Sequence, residues 1–381
     1  MVQVRRATID DWHAISSFIQ DTYGLQAPFK GATRWRWQFV DNPFRPVQDD
    51  GPAVWIAEAP SGAIAGQIAV QDGRLCINGG YTDAGWIVDV MIRPEFRGQG
   101  IGHRIHEAVM RERPCLFTLT MAPATRRIAE AAGCLTLGPT WQLIRPLKLD
   151  IGAFSAWVSE RALTRQGMMR SLTRPPGSVV GGMALGALLI PTMILNSRGL
   201  QKPASKIDAV ELSHHDAVGV ADELTKSARS LETAGFDKGR QFFDWRFGSS
   251  TPDLAYSTLA LRQAGSLIGY TVVREPHMVE HPIGIIAEAV HRPGDYATAG
   301  RLIDVAVERL APTSVCIEMA TTDPIMLLEA RKRGFFTIKT MNPTVVVEQG
   351  ALRDAIAQKA HDFRFSKADH DWDQIRPRQT T

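Results

Sequence analysis

The 381-residue sequence contains little cysteine and no marked excess of charge of either sign. Its cysteines, Cys76, Cys115, Cys134 and Cys316, form no C-x-x-C pair and have no histidine at ligand spacing, which predicts reduced thiols in the core rather than a metal motif. The net charge of +3 is too even for a nucleic-acid-binding protein. The first twelve residues carry charge where a signal peptide needs an apolar core, so we expect a cytoplasmic protein.

Only one long stretch lacks charge altogether, from Val179 to Leu195. It is short for a membrane span and is interrupted by glycines and a proline. The preceding segment, Ile151 to Leu172, has the pattern of a basic amphipathic helix. We interpret 149–204 as a helical interdomain linker. Peripheral contact of 151–195 with the inner face of an anionic membrane is one alternative, and a true span is the other.

The most informative segment runs from Trp86 to Met110. Its apolar start, Trp86 to Ile92, predicts a strand, and helical spacing begins at Ile101 after a turn with three glycines. Glycines let the backbone approach a ligand closely, and a helix start presents free N–H groups and a positive dipole end. The pattern therefore predicts a phosphate-binding corner.

Three kinds of site use such a corner. A P-loop would need Lys and Ser or Thr after Gly102, and neither follows. A Rossmann fingerprint is G-x-G-x-x-G near the start of its domain, whereas here G-x-G-x-G comes after about 85 residues. The segment resembles the acyl-CoA-binding motif of the GNAT superfamily of N-acyltransferases, [QR]-x-x-G-x-[GA], matched by Arg97, Gly100 and Gly102 behind Ile92-Arg93-Pro94. A dinucleotide site and a purely structural glycine turn are the alternatives.

This resemblance implies an α/β (α+β) fold with a mixed sheet, in which the strand before the glycine turn separates from the next strand. The pantetheine arm of acetyl-CoA, or of another acyl-CoA, would fill the gap as co-substrate. Main-chain N–H groups of Met91 and Ile92 would hold the pantetheine and the thioester oxygen. The pyrophosphate would contact the Arg97 side chain and the main chain of Gly98, Gln99, Gly100, Ile101, Gly102 and His103. We expect no metal, because His103 and His106 have no third ligand nearby.

Asp89 is the main candidate for the catalytic base. A carboxylate in an otherwise apolar strand needs a structural or chemical reason, and strict alternation places it on one face with Ile87 and Met91. The structural alternative is a bond to neighbouring backbone or to an arginine of Arg34–Arg36. Glu58, at the end of a predicted hairpin strand, is a weaker candidate.

The general acid is missing from its usual place. Many members of the superfamily have a Tyr four residues before the glycine that ends the last motif helix, and here that position is Ala129. The matching position of the second half is Ala330. We consider three substitutes for this acid: Tyr81, Cys134 and water. Alternatively, the thiolate leaves without assistance from an acid.

The second half of the chain repeats the first at an offset of about 200 residues, which predicts two tandem domains of one fold. The matches are Trp37-Gln38-Phe39 with Trp245-Arg246-Phe247, Gly66 with Gly269, Arg93-Pro94 with Arg292-Pro293, and Gly133 with Gly334. We assign 1–148 to the N-terminal domain, 205–349 to a degenerate C-terminal domain and 350–381 to a polar tail. No glycine triplet follows Arg292-Pro293, so we expect the second copy to lack the pyrophosphate cradle.

The sequence as a whole favours an acyl-CoA-dependent N-acyltransferase that transfers acetyl to a primary amine of a small molecule. Trp35, Trp37 and Trp245 would suit a sugar ring, although helix-end packing is equally consistent with them. The acidic, aromatic run 368–373 resembles the ending of tandem GNAT proteins associated with bacterial surface-polysaccharide genes, but a solvated end is the favoured interpretation. An amino sugar or polysaccharide precursor is thus the expected acceptor. A non-catalytic acyl-CoA sensor or scaffold, and an aminoacyl or long-chain acyl transferase, are the alternatives. The oligomeric state is not indicated.

Overall fold

The computed structural model describes residues 2–23, 27, 30–49, 51–119, 121, 123–131, 133–148, 207–228, 234–248, 251, 254–276 and 283–370. The predicted linker 149–204, with its proposed membrane contact, lies outside the described residues.

The first half opens with a strand and two helices and continues as an antiparallel meander that leads into a strand–helix–strand unit. Its elements are β1 (Gln3–Arg6), α1 (Trp12–Tyr23), α2 (Ala32–Phe39), β2 (Val54–Glu58), β3 (Ile64–Ile77), β4 (Gly80–Ile92), α3 (Ile101–Glu112), β5 (Cys115–Thr118), α4 (Pro123–Ala131), β6 (Leu135–Thr136) and β7 (Thr140–Pro146).

The second half has the same order of elements, with a short extra strand and a C-terminal helix. Its elements are β8 (Ile207–Leu212), α5 (His214–Ala228), β9 (Gly235–Phe236), α6 (Arg240–Phe247), β10 (Ser257–Gln263), β11 (Ser266–Arg274), β12 (Ile283–His291), α7 (Tyr296–Leu310), β13 (Cys316–Thr321), α8 (Pro324–Lys332), β14 (Phe336–Met341), β15 (Thr344–Val347) and α9 (Ala351–Gln358).

The tandem repeat is confirmed by equivalent positions in the two halves. Helices α2 and α6 each span eight residues and each begins after a glycine. Gly66 of β3 pairs with Ile92, and Gly269 of β11 pairs with His291, which are the residues just before the two Arg-Pro pairs. The chain is therefore a mixed α/β protein with two copies of one fold.

The two sheets exchange a strand. The first sheet runs β1-β2-β3-β4-β5-β15-β6, with the short strand β9 also paired to β3, and the second runs β14-β7-β13-β12-β11-β10-β8. Strand β7 pairs with β13 through Arg145 and Ile317, and β15 pairs with β5 through Val345 and Phe117. Each sheet is thus completed by a strand from the other half of the sequence.

This exchange corrects the expected domain ends. The range 1–148, assigned to the N-terminal domain, contains both β6 and β7, but only β6 lies in the first sheet. The boundaries at residues 148 and 349 therefore separate sequence repeats and not the two sheets. The residue pattern identifies a strand but carries no information about which sheet edge the strand will pair with.

The predicted polar tail is also corrected over its described part. Residues 351–358 form α9, and the chain then returns to the body of the protein. Phe363 and Phe365 are buried in the first core, and Lys367 and Asp369 are 1% and 3% exposed. The segment up to residue 370 is therefore an integral part of the fold. Residues 371–381 lie outside the described residues.

The helices pack on opposite faces of the first sheet. Apolar residues of α1 and α2, among them Ile15, Phe18 and Trp35, pack with Trp86 and Val88 of β4. On the other face, the α3 residues Ile101, Ile105 and Val109 pack with Ile87. Strand β4 is thus fixed from both sides and ends at the glycine turn that starts α3.

Candidate functional site

The glycine corner between β4 and α3 has an open backbone. Gly98 and Gly100 have φ angles of +80° and +70°, in the left-handed region that glycine tolerates, and no heavy atom lies within 4 Å of where a Cβ of either would stand. Gly100 is the N-cap of α3 and offers no side chain to the first N–H groups. The corner therefore leaves both space and unpaired donors for an anion, as the sequence predicts.

The polar side chains around this corner are exposed and only loosely fixed. Arg97 Nε donates to the carbonyl oxygen of Ile92 at 3.2 Å, and Gln99 Nε2 donates to that of Glu95 at 3.2 Å. His103 lies at the surface 3.3 Å from a Glu107 oxygen. Contact of these side chains with a phosphate stays a prediction.

The two histidines of α3 do not share a face that could bind a ligand. His103 is exposed, whereas His106 is buried, and burial lowers the pKa of His106. Among the described residues, no group of three or more His, Cys, Asp and Glu side chains is placed to hold a metal ion.

Beside the corner, β4 extends beyond the described end of β5 at Thr118. The two strands pair in parallel at Gly85 with Leu116 and at Trp86 with Phe117, and the recorded ladder ends there although β4 continues to Ile92. The later part of β4 therefore has an edge towards β5 that can accept an extended ligand. The separation of these strands that the resemblance implied stays a prediction.

A β-bulge at Asp89 changes which side chains share a face. Asp89 has a φ angle of +52°, and the register of β3 with β4 shifts between Gln67 and Ala69. After the bulge, Met91 packs on the core that holds Trp86, and Ile92 packs on the core that holds Ile87. Our prediction that Ile87 and Met91 share a face is therefore wrong, because the extra residue resets the alternation.

Asp89 is paired with a residue that the sequence analysis missed. Its Oδ1 accepts a hydrogen bond from Nζ of Lys30, which lies just before α2. The two side chains are 11% and 12% exposed, and Nζ also lies 4.8 Å from the ring centroid of Tyr23. The alternative partner that we considered, an arginine of 34–36, is not the one observed. No spacing in the sequence signals this contact, because it joins residues 59 positions apart.

The other two candidate catalytic residues lie elsewhere. Glu58 accepts a hydrogen bond from Arg5 Nε at 2.8 Å, and Arg5 also binds Asp11, so Glu58 is part of a network that ties β1 to β2. Tyr81 is at the opposite end of β4 from Met91, roughly 30 Å away at about 3.3 Å per residue. The structure does not bring Tyr81 to the glycine corner, so it is not a substitute for the missing acid.

Tyr81 instead lines a groove of about 930 Å³ between α2 and α6. The guanidinium of Arg74 lies 4.8 Å from the Tyr81 ring centroid. The groove also contains Arg36, Asp237 and Arg240. Its charges are mixed and it lies along the contact between the two halves, away from the glycine corner.

The three tryptophans proposed for a sugar ring are engaged in packing. Trp35 is buried in the first core, with its ring 5.1 Å from that of Trp12. Trp37 and Trp245 stack on each other at 4.6 Å and are 4% and 6% exposed. Packing covers most of each ring, although Trp37 and Trp245 also line the groove between α2 and α6, so the structure favours the packing alternative.

The helix positions at which the sequence comparison expected a tyrosine acid are buried. Ala129 and Ala330, which stand where many GNAT proteins have Tyr, are 2% and 0% exposed. Cys134 follows the left-handed Gly133 that ends this helical segment, and its N–H donates to the Ala129 oxygen at 3.0 Å. Burial, helped by the charge of Glu130, raises the pKa of the Cys134 thiol.

The second copy fills its own anion site. Asp295 is the N-cap of α7, and its carboxylate accepts hydrogen bonds from Thr298 N at 2.9 Å and from Thr298 Oγ1 at 2.6 Å. A carboxylate of the protein therefore stands at the helix start, where α3 has Gly100. Loss of the pyrophosphate cradle from the second copy stays a prediction.

The second copy nevertheless keeps a cleft. Strand β12 pairs with β13 from Ile283 to Ile286, and beyond this ladder lies a cavity of about 210 Å³. One wall carries Lys238, whose Nζ lies 2.6 Å from Asp369 Oδ2 and 2.5 Å from Glu288 Oε2. Burial alone would lower the pKa of Lys238, but the two carboxylates outweigh it and raise the pKa, so this buried cation stays charged.

Comparisons with known proteins agree with this geometry. Residues 3–114 match the family model of the acetyltransferase (GNAT) domain. No curated protein matches the sequence significantly. Within the described ranges, no helix is long and apolar enough to cross a membrane.

Several solved structures share the fold over most of the chain. A GCN5-related N-acetyltransferase from Anabaena variabilis is 12% identical, with 91% of this chain and 73% of that chain covered and a TM-score of 0.55. A tandem GNAT protein from the clavulanic acid biosynthesis pathway is 13% identical, with 92% and 100% covered and a TM-score of 0.53. Saccharomyces cerevisiae N-myristoyltransferase with bound myristoyl-CoA is 9% identical, with 91% and 82% covered and a TM-score of 0.56. At these identities the likeness concerns the fold, which is that of tandem GNAT proteins.

Proposed function

We propose that the protein is an acyl-CoA-dependent N-acyltransferase whose only acyl-CoA site is in the first copy. The main support is the contrast between the two helix starts. Gly100 leaves the start of α3 open and uncapped, whereas Asp295 fills the start of α7. A diphosphate would meet free N–H groups at the first and a carboxylate at the second.

The reaction that fits this site is direct attack of an amine on the thioester. The pantetheine would lie along the free edge of β4, where N–H groups of Met91 and Ile92 would hold it and polarise the thioester oxygen. Asp89 would take the proton from the attacking amine, since it lies on the bulge just before these residues. The amine nitrogen forms a bond to the acyl carbon, the C–S bond breaks, and the CoA thiolate takes up a proton from water.

The acceptor is a primary amine that approaches Asp89. Neither of the two features that suggested a sugar acceptor is available to bind one. Trp35, Trp37 and Trp245 are buried, and the described part of the acidic tail is packed into the fold. A small molecule with a positively charged amine suits a site that already places an ammonium group beside a carboxylate.

The second copy would shape the protein rather than bind a second donor. It supplies β15 to the sheet that contains β4 and β5, next to the proposed cleft. Its own cleft contains a buried ion cluster and a capped helix start.

A non-catalytic acyl-CoA sensor is the second candidate, and one observation favours it. The usual acid position is occupied by a buried alanine, Ala129, which cannot donate a proton. A longer acyl donor is the third, because one protein of this fold binds myristoyl-CoA. Competition between acetyl-CoA and long-chain acyl-CoAs for the site would distinguish the donors.

The test is release of free CoA thiol from acetyl-CoA in a screen of primary amines, with Asp89→Asn and Glu58→Gln as a matched pair. If Asp89 is the base, Asp89→Asn lowers kcat by about 10²-fold or more. Glu58→Gln, which breaks a part-exposed ion pair, leaves kcat nearly unchanged. Turnover that survives Asp89→Asn removes the assigned base. Binding of acetyl-CoA without turnover of any amine favours the sensor.

A further inference from the structure

Lys30 stands where the acceptor amine would stand. It lies in the connection between α1 and α2, immediately before the Gly31 that caps α2. Its Nζ donates to Asp89 Oδ1 and faces the ring of Tyr23, with 4.8 Å between Nζ and the ring centroid. The carboxylate and the aromatic ring together form a site for an ammonium group.

This site adjoins the part of β4 that would bind the thioester. Asp89 is two residues from Met91 along the strand, and the bulge at Asp89 directs its carboxylate to Lys30. Both side chains are largely shielded, at 12% and 11% exposed, so water does not separate the amine from the carboxylate. A nucleophile, a base and an open strand edge are thus brought together by residues of the chain itself.

We propose that Lys30 is an intramolecular acyl acceptor, so that the protein acylates itself at this residue. The inference rests on the proposed function, because the acyl group comes from acyl-CoA bound in the first copy. Asp89 takes one proton from the Lys30 ammonium, and the neutral Nζ attacks the thioester carbon. A C–N bond forms, the C–S bond breaks, the CoA thiolate takes up a proton, and the amide nitrogen loses its remaining extra proton to water.

The product differs from Lys30 in charge and in partner. An acylated lysine is a neutral amide and no longer pairs with Asp89. The reaction therefore ends after one group per chain, and it leaves the carboxylate of Asp89 free for an external amine. A purely structural Lys30–Asp89 ion pair would produce no such modification.

The test is incubation of the full chain with acetyl-CoA, followed by acid quenching and mass spectrometry of acetylated peptides over time. Lys332, whose side chain is 56% exposed and pairs with Glu329, reports chemical acetylation in solution. We expect Lys30 to be acetylated at least about tenfold faster than Lys332, because the donor and the amine are held together. Gly100→Glu, which blocks the proposed cradle, lowers the rate at Lys30 to that of Lys332.

Lys30→Arg provides the matched variant, since it keeps a cation beside Asp89 and protects the fold if Lys30 is needed for stability. It should retain acetyl-CoA binding and lose the mass increase of one acetyl group on the intact chain. Acetylation of Lys30 no faster than Lys332, in a protein that binds acetyl-CoA, overturns the inference and leaves the proposed function intact. The same mass increase in Lys30→Arg overturns it as well. Absence of acetyl-CoA binding overturns both.

Discussion

Trp37 and Trp245 exchange hydrogen bonds across the two halves of the chain. The indole Nε1 of each donates to the main-chain oxygen of the other at 3.2 Å, and the two rings stack with centroids 4.6 Å apart. The two residues are equivalent positions of the sequence repeat, 208 residues apart. A reciprocal contact between equivalent residues is what an approximate twofold axis produces, so the two copies pack as a dimer does within one chain.

This tryptophan pair should be a large contributor to stability. Trp245→Phe keeps a stacked ring but loses one donor, and we expect it to lower the free energy of unfolding by about 1 kcal/mol. Trp245→Ala also removes the packed ring and should cost about 3–5 kcal/mol. Urea denaturation of both variants measures the difference. A Trp245→Ala protein as stable as Trp245→Phe would show that the stack contributes nothing.

Strand exchange predicts that neither sequence repeat folds alone. A fragment of residues 1–148 lacks β15 and leaves β5 and β6 without their shared neighbour. We expect it to unfold without cooperativity or to aggregate. A matched fragment joins residues 1–139 to 342–370 through a flexible linker and restores β15. Cooperative unfolding of the matched fragment but not of 1–148 supports the exchange, and a cooperative monomeric 1–148 contradicts it.

The buried Lys238 should be far more important for stability than a surface lysine. Lys238→Met leaves Glu288 and Asp369 facing each other without a cation, which should cost about 3–5 kcal/mol. Lys332→Met removes a half-exposed pair and should cost less than about 1 kcal/mol. Chemical denaturation of the two variants at the same pH provides the comparison. Equal losses would show that Lys238 is not the balancing charge.

The pair of His291 and Asp323 should make stability depend on pH. Burial alone lowers the pKa of His291, but the close contact of its Nε2 with an Asp323 carboxylate oxygen, at 3.0 Å, raises the pKa overall. Burial alone raises the pKa of Asp323, but His291 lowers it overall. The contribution of His291 to the free energy of unfolding is fully present below about pH 6.5 and is lost as the pH rises through the pKa of His291 in the folded protein. The contribution of Asp323 is present above about pH 3.9 and is lost as the pH falls through the pKa of Asp323 in the folded protein.

His291→Gln should therefore destabilise the protein more at pH 5.5 than at pH 8.5. At pH 5.5 the loss should be about 1–3 kcal/mol, the range for removing one partner of a buried polar contact. Denaturant titrations at the two pH values measure it. A loss that is the same at both values, or larger at pH 8.5, would contradict the assigned charge states.

Much of the first copy could be predicted from the sequence because its signals are local. The three glycines predicted a turn after β4, and the apolar spacing of Ile101 and Ile105 correctly predicted α3. The repeat could be found because packing retains glycine wherever a Cβ would collide. At Gly66 a Cβ would lie 2.3 Å from Ile92 Cδ1, and at Gly269 it would lie 2.7 Å from Thr298 Cγ2.

The errors have a common cause, which is that the relevant contacts join distant parts of the chain. The exchange of β7 and β15 depends on which strand edge is available, and the strand pattern does not encode this. The bulge at Asp89 adds one residue and thereby moves Met91 to the other face. Lys30 contacts Asp89 across 59 residues, and Phe363 and Phe365 pack into a core built mainly by the first half, so neither contact leaves a local signal in the sequence.

The most direct test is calorimetric titration with acetyl-CoA of the wild type and of two matched glycine variants. Gly100 is the N-cap of α3 and Gly294 directly precedes the N-cap of α7; both have left-handed angles, and neither has a heavy atom within 4 Å of where a Cβ would stand. A Glu at either position therefore introduces the same backbone strain and the same charge. We expect one equivalent to bind to the wild type and to Gly294→Glu, and none to bind to Gly100→Glu. Three results would contradict an acyl-CoA site in the first copy alone. They are binding of two equivalents to the wild type, binding that Gly294→Glu loses and Gly100→Glu keeps, and no binding at all.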